Sequence, residues 1–448
     1  MTHLTIPTVA GHWLLGHARP MQKEAHSYVA DLCRQHGDLV SFRVLNRRLV
    51  ATNNAAYARH WLVTHHERYG RTFPMHNGAL VLGGGLLTSD GEHWLRHRRM
   101  LLPPFRPGQL EPLVAATQEA TLALLDRWDA LQRRGEPIAI PQEMRRLALD
   151  VISRMLFSEP MDPTTADWFN ALVTRALQLI FRRNYHPYPL PFWLPTPDHN
   201  RLRGIKSHLD RYLLERIAAR VAPPPDEPRD LLDAMRAARD PESGAPLSPE
   251  DLLAEVKTMF VAGFETTATA LSWALYLLAG HPDEDAAWAD ELNTVLAERP
   301  PTWEDVPRLK YLNSVVLETL RLYPPVFAAV RQALADDEMA GYVLREGTLC
   351  LVSIFGIHRS SAYWPEPERF RPARFAAGDW PKEAFLPFLT GKHVCIGNHF
   401  SLLEMTVALA LMGQRYRFER VDDQPLGMRP QITLVPDREL YLRLVPRL

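Results

Sequence analysis

PFLTGKHVCIGNHF, residues 387–400, sets one cysteine among glycines, histidines and a lysine, directly before a run with helical character. A buried structural cysteine more usually sits in an apolar stripe. Cys395 instead follows a bend that Gly391 permits and precedes the free amide groups of a helix start near Ile396. Amides aimed at the sulfur favour thiolate over thiol, and a thiolate suits a soft or borderline metal. Gly391 and Gly397 also allow the backbone to approach a flat ligand closely. With no second cysteine nearby, tetrahedral zinc and iron–sulfur clusters are disfavoured. A macrocycle that brings four nitrogens of its own needs only one such protein ligand, so heme with a cysteine thiolate fits.

The rest of the chain sets the frame for that ligand. Its 448 residues are 46% hydrophobic and 23% charged, which excludes collagenous, disordered and coiled-coil classes. A formal net charge of −1 gives no whole-protein reason to expect nucleic acid or an anionic membrane as partner. Three scattered cysteines, Cys33, Cys350 and Cys395, make no disulfide framework and point to a reducing, cytoplasmic setting. The opening residues lack a basic region followed by an apolar one, so no signal peptide is expected. The most apolar window, LSWALYLLAG at 271–280, is far short of the ~18 residues of a membrane helix.

Most segments read as helical. DLLAEVKTMFVAGFETTATALSWALYLLAG, 251–280, contains no proline and predicts a helix of about 45 Å. Its middle, Ala262 to Thr267, breaks the apolar character. An interior glycine and threonines that bond back to the preceding turn weaken a helix there and predict a bend or groove. Beside such a groove Glu265 and Thr266 form an acid and alcohol pair able to hold water and pass protons; the competing reading is a solvent-facing glutamate. Strand-like pieces are few: 39–52 predicts a hairpin about Asn46, and 341–354 another about Gly347. Two stretches read as loops, 184–200 with five prolines and the aromatic residues Tyr185, Tyr188, Phe192 and Trp193, and 222–228. The first is apolar and inflexible, suited to covering a pocket.

Three further clusters carry chemistry. Glu318 and Arg321 sit three apart on a helix that stops at Pro324, and the rigid turn in WPEPERFRPARF, 364–375, is expected to swing Arg369 back toward Glu318. In GEHWLRHRRMLLPPF, 91–105, Trp94 and Arg98 lie four apart and supply donors for a carboxylate or propionate. His93 and His97 are also four apart and mimic a metal pair. No third ligand adjoins them in sequence, so the zinc reading is set aside.

These motifs together resemble the cytochrome P450 family, the heme-thiolate monooxygenases, in order and spacing over nearly the whole chain. Phe388, Gly391, His393, Cys395 and Gly397 match the family's cysteine loop, with histidine where many members carry arginine. Glu318 and Arg321 match its Glu-x-x-Arg pair, Arg369 the following partner, Ala262 to Thr267 the oxygen-binding helix, and Trp94 with Arg98 the propionate-binding helix. Arg331 falls where the family often places another propionate ligand.

The resemblance implies one mainly helical domain over residues 1–448 with a small β region and a long central helix over heme b (iron protoporphyrin IX). It implies Cys395 as the iron ligand, Glu265 and Thr266 as proton donors, and oxygen insertion into a lipophilic molecule such as a terpenoid, fatty acid, steroid or polyketide. Val261, Ala262, Val326, Phe327, Ala328 and Ala329 are the expected pocket lining, all apolar. Gly83-Gly84-Gly85 lacks the context of a dinucleotide fingerprint, so electrons are expected from a ferredoxin or flavodoxin and its NAD(P)H-dependent reductase, docking near Lys392. A monomer is expected. The alternatives are a peroxide-using or isomerising enzyme of the same fold, or a non-catalytic heme sensor.

Overall fold

The computed structural model describes residues 4–186, 190–220, 222, 224 and 227–447, without the side chains of 73–76. Tyr188 and residues 223, 225 and 226 of the 222–228 loop lie outside the described residues.

The architecture is built round one helix, Pro249–Ala279, which runs unbroken through Gly263. Gly263 is a packing position, where a Cβ would press on the Ile152 side chain at 3.3 Å. The Ser248 hydroxyl accepts from the Asp251 amide and caps the helix, Pro249 opens it, and Glu250 and Asp251 complement its dipole. Beyond Ala254 nearly every side chain is buried, the mark of a helix enclosed by protein on all sides. Helices Ile140–Phe157, Lys310–Leu322, Pro197–Ala219 and Asn398–Arg415 surround it. Phe260 anchors the contact, its ring 4.7 Å from Phe169 and 5.9 Å from Phe157.

The β region is small. Its main sheet has five strands in the order Leu39–Val44, Arg47–Thr52, Leu349–Ser353, Ala328–Ala333 and Tyr69–Gly70. The first two form the expected hairpin, in the register Val44 to Arg47. The second expected hairpin does not form. Leu349–Ser353 pairs in parallel with Arg47–Thr52 and antiparallel with Ala328–Ala333, while Tyr342–Leu344 pairs with Asp337–Met339. All five residues of Leu349–Ser353 are buried, and such a strand needs cover on both faces, which a two-stranded hairpin does not supply.

Between helices Pro163–Asn184 and Pro197–Ala219 the proline-rich loop is shorter than its composition indicated, because Pro197 opens a helix capped by Thr196. Phe192 packs against His199 and under the Arg203 guanidinium, whereas Trp193 is 77% exposed. Among the described residues no helix is long and apolar enough to cross a membrane.

One buried acid in this frame sets a pH dependence. Glu404, on helix Asn398–Arg415, is fully enclosed with Oε1 unpartnered, and burial raises its pKa well above the ordinary value. It therefore folds neutral. Stability is whole below the ordinary glutamate range and falls as pH rises toward the raised folded value, by about 1.4 kcal/mol for each pH unit crossed. Glu404→Gln is expected to flatten that fall: thermal melts in mildly acidic and alkaline buffer should diverge for the parent and converge for the variant. An equal slope for both would contradict the assignment.

Candidate functional site: a cysteine beneath a cationic cluster

The cysteine loop is held by backbone constraints first. Gly391 has φ +72, and a Cβ there would overlap the Leu62 carbonyl oxygen, so only glycine fits. The Cys395 amide donates to the Phe388 carbonyl at 2.9 Å, closing the loop. Helix Asn398–Arg415 starts three residues after the cysteine. Gly397 serves differently from expectation: its φ of −92 suits any residue, and a Cβ there meets no protein atom within 4 Å, so its smallness matters for what comes beside the sulfur.

Cys395 is the exposed one of the three cysteines, while Cys33 and Cys350 are buried. Its sulfur is accessible but deeply set. Desolvation accordingly raises its pKa, outweighing the Gly397 amide and the Arg98 charge that lower it. Helix-start amides alone therefore do not make the free thiolate; a coordinated metal, which deprotonates a thiol outright, would.

Around it gather Arg71, Arg98, Arg331 and His393. Trp94 is buried with its ring 4.3 Å from that of His393, and Arg98 follows one turn later with no hydrogen bond among the described residues beyond its attraction to Cys395. Arg331 is buried, and among the described residues its guanidinium donates only to the Val330 carbonyl, 3.0 Å. Arg71, which carries no motif in sequence, donates to the Leu86 and Ser89 carbonyls; burial and then the Arg331 charge lower its pKa to about 10.

One carboxylate answers these cations. Asp90 caps helix Gly91–Leu101, accepts from the Arg71 amide at 2.7 Å and lies 3.3 Å from His393 Nε2. Burial pushes its pKa up, but those hydrogen bonds and the His393 contact hold it well below the carboxylate range. His393 is pulled down to about 4, by burial first and by Arg71 and Arg331, so it is neutral at physiological pH. Three guanidiniums against one carboxylate leave a surplus of two positive charges. Charge of that size on one buried and two half-buried side chains attracts anions, and the two propionates of a heme are of matching number and chemistry. The cysteine, the open side of Gly397 and this cluster therefore fit the group.

The Glu318–Arg321 pair is not a solvated face; both side chains are 0% exposed. Arg321 Nε donates to Glu318 Oε2 at 2.7 Å and Nη2 to Oε1 at 2.9 Å, while Nη1 donates to the His358 and Pro367 carbonyls. The expected third partner is corrected. Arg369 points outward, 65% exposed and paired with Glu366, and offers Arg321 only its carbonyl, 3.2 Å away. The second guanidinium on Glu318 is Arg374, whose Nε lies 2.9 Å from Oε1. A turn from Glu366 to Arg369 aims the first arginine at solvent, and the short helix Ala373–Ala376 brings the later one back. His358, fully buried and lowered to about 3 chiefly by burial, is neutral; it accepts from the Leu386 amide and bonds the Arg321 carbonyl, tying this network to the chain entering the cysteine loop.

On the central helix, Thr266 Oγ1 donates to the Ala262 carbonyl at 2.8 Å, and Thr267 lies 3.3 Å from Ser401 on the helix that follows Cys395. Glu265 turns the other way. It is buried, its Oε1 takes a 3.5 Å contact from Thr433, its Oε2 has no partner, and desolvation raises its pKa against the pull of Arg145. Adjacent helical residues diverge by about 100°, so Glu265 and Thr266 occupy different faces and make no direct pair.

The expected pocket lining is divided too. Ala328 and Ala329 are neighbours on one strand and point to opposite sides of the sheet. Val326 and Ala329 pack in one apolar cluster; Phe327 and Ala328 pack in another with helix Ala18–His36. The four cannot form one wall. Ala329 shares its face with Arg331, which senses His393 and Arg71.

The chain matches the cytochrome P450 family over residues 6–443. It belongs to the cytochrome P450 family. Among relatives of this P450, cyclooctat-9-en-7-ol 5-monooxygenase of Streptomyces melanosporofaciens is 32% identical over 91% of this chain and 88% of its own length. Cyclooctatin synthase of the same organism is 32% identical over 97% and 93%. Leukotriene-B4 omega-hydroxylase 3 of Mus musculus is 33% identical over 82% and 74%. This P450 is a heme-thiolate monooxygenase with the mainly helical fold of its family.

Of the site residues, Asp90 had a legible signal, an N-cap aspartate before a periodic helix. Arg71 and His358 had none. Arg374 lay in the same Arg-Phe repeat as Arg369, and only folding chose between them.

Proposed function

We propose that Cys395 would supply the thiolate that ligates the iron of heme b, that Arg71, Arg98, Arg331, Trp94 and His393 would hold its propionates, and that the whole chain acts as one heme domain. The observation that carries this is the surplus of guanidinium, Arg331 buried and Arg71 and Arg98 half-buried, beside an accessible cysteine sulfur. When bound, the heme activates dioxygen so that one oxygen atom enters a substrate C–H bond and the other leaves as water.

The protein's part is positioning and proton supply. Thr266 Oγ1, held by the Ala262 carbonyl, orders a water on its face of the helix. Glu265, whose pKa burial raises, would recharge that water with a proton when its side chain swings from Thr433. Val261 and Ala262 with Ala329 hold an apolar substrate. Relatives named for a cyclic alkenol and a leukotriene favour a terpenoid alcohol or a long-chain fatty acid as substrate class. Electrons come from a ferredoxin or flavodoxin docking at Lys392, in the cytoplasm, to a monomer.

The test is turnover with NAD(P)H, a reductase and ferredoxin on such compounds under isotopically heavy dioxygen. One heavy oxygen atom in the product is expected; no oxygenated product with any electron source would overturn the reading. Thr266→Ala should keep heme but divert electrons to hydrogen peroxide, cutting product per NAD(P)H by up to about 10², the lower end of general-acid effects. Full coupling in that variant would remove the proton role.

A further inference from the structure

Helix Gly91–Leu101 also carries two histidines that the proposed reaction does not use, and they meet an aspartate from the central helix. His93 and His97 have ring centroids 4.0 Å apart. Asp251 Oδ1 lies 3.8 Å from His93 Nε2, and Oδ2 lies 3.7 Å from His97 Nε2. One ligand atom from each of the three falls within 4.8 Å of the others. Both carboxylate distances are too long for hydrogen bonds.

His97 decides what belongs there. It is 0% exposed, and its Nδ1 lies 2.6 Å from Glu255 Oε1, itself fully buried. Glu255 Oε2 is occupied by the Leu86 amide at 3.1 Å, so the carboxylate is anchored. Nδ1 is therefore engaged by Glu255, which leaves Nε2 aimed at Asp251 with no hydrogen-bond partner among the described residues. Nε2 and the Asp251 carboxylate face each other at 3.7 Å, a spacing that a cation bonded to both would fill.

We propose that His93, His97 and Asp251 form a divalent-cation site of zinc type, with Glu255 as the outer carboxylate that orients His97. Tetrahedral zinc at about 2.0–2.2 Å from nitrogen and oxygen places its ligand atoms roughly 3.4 Å apart, close to the 3.8 and 3.7 Å that separate the Asp251 oxygens from His93 and His97. A carboxylate behind the metal-binding imidazole is the usual support of such sites. Two imidazoles and one carboxylate suit zinc rather than calcium or magnesium. His93, 44% exposed, exchanges its 2.9 Å contact with the Gly84 carbonyl for the cation. With Asp251 at 23%, the site is open to solvent, giving an entry path and a fourth position for water. The cation would staple the helix that presents Trp94 and Arg98 to the first turn of the central helix.

The test is calorimetric titration of ZnSO4 into the heme-loaded protein after chelator treatment, with MgCl2 as the control ion. One equivalent of zinc at micromolar or tighter affinity is expected, with no magnesium binding. His93→Ala and Asp251→Asn should each weaken zinc by about 100-fold while the reduced carbon-monoxide spectrum stays as in the parent. Absence of saturable zinc binding, or binding that either substitution leaves unchanged, would overturn the site.

Discussion

Cys395→Ser is expected to erase the red-shifted Soret band of the reduced carbon-monoxide complex and bring oxygenation to background, the largest change any single atom here can cause. The argument rests on position. Cys395 is the one accessible cysteine among the described residues, its loop is closed by its own amide on Phe388, and Arg98 is the charge it senses. A serine hydroxyl keeps the loop but offers a hard, protonated oxygen in place of a soft anionic sulfur. Heme should remain, because Arg71, Arg98 and Arg331 retain their demand for anions. An unchanged spectrum would refute the ligand role, and loss of heme altogether would show that the cationic cluster cannot hold it unaided.

Glu318→Ala should abolish accumulation of folded protein, whatever the state of the heme. Glu318 takes four hydrogen bonds, from Arg321 Nε and Nη2, Arg374 Nε and the Arg371 amide. Removing it strands the Arg321 guanidinium, 0% exposed, with carbonyl partners only and no counter-charge. Breaking a buried pair in this way costs about 3–5 kcal/mol. That is comparable to the whole stability of a marginal protein. Arg369→Ala, by contrast, should shift stability by less than about 0.5 kcal/mol, since its partner Glu366 is exposed and the carbonyl it lends to Arg321 survives the change. Arg374→Ala should fall between the two. The yield of folded protein from each of the three, with denaturant melts of the Arg369 and Arg374 variants, would rank them, and an order with Arg369 first would return that residue to the network.

The contrast between those two arginines marks where local reading stops. What a short stretch encodes by itself was legible: a glycine-permitted bend at 391, the hairpin about Asn46, the long central helix over 251–280, and the i, i+3 and i, i+4 spacings that put Glu318 with Arg321 and Trp94 with Arg98. Each depends on residues a few positions apart, where chain geometry leaves little choice. The same reading placed 341–354 in a hairpin, because alternation and a glycine turn look alike whether a strand is the edge of a ribbon or the centre of a sheet.

Sequence alone determined the family, the ligand cysteine's candidacy and the helical scaffold, since these follow from backbone preferences and side-chain chemistry over single turns. Tertiary structure decided the partners: Arg374 over Arg369, Arg71 and Asp90 in the anion cluster, Glu265 turned from Thr266, and Asp251 brought from the central helix to two histidines far from it in the chain. Those pairings arise from burial, which forces charged groups to find counter-charges wherever the packing of distant elements delivers them.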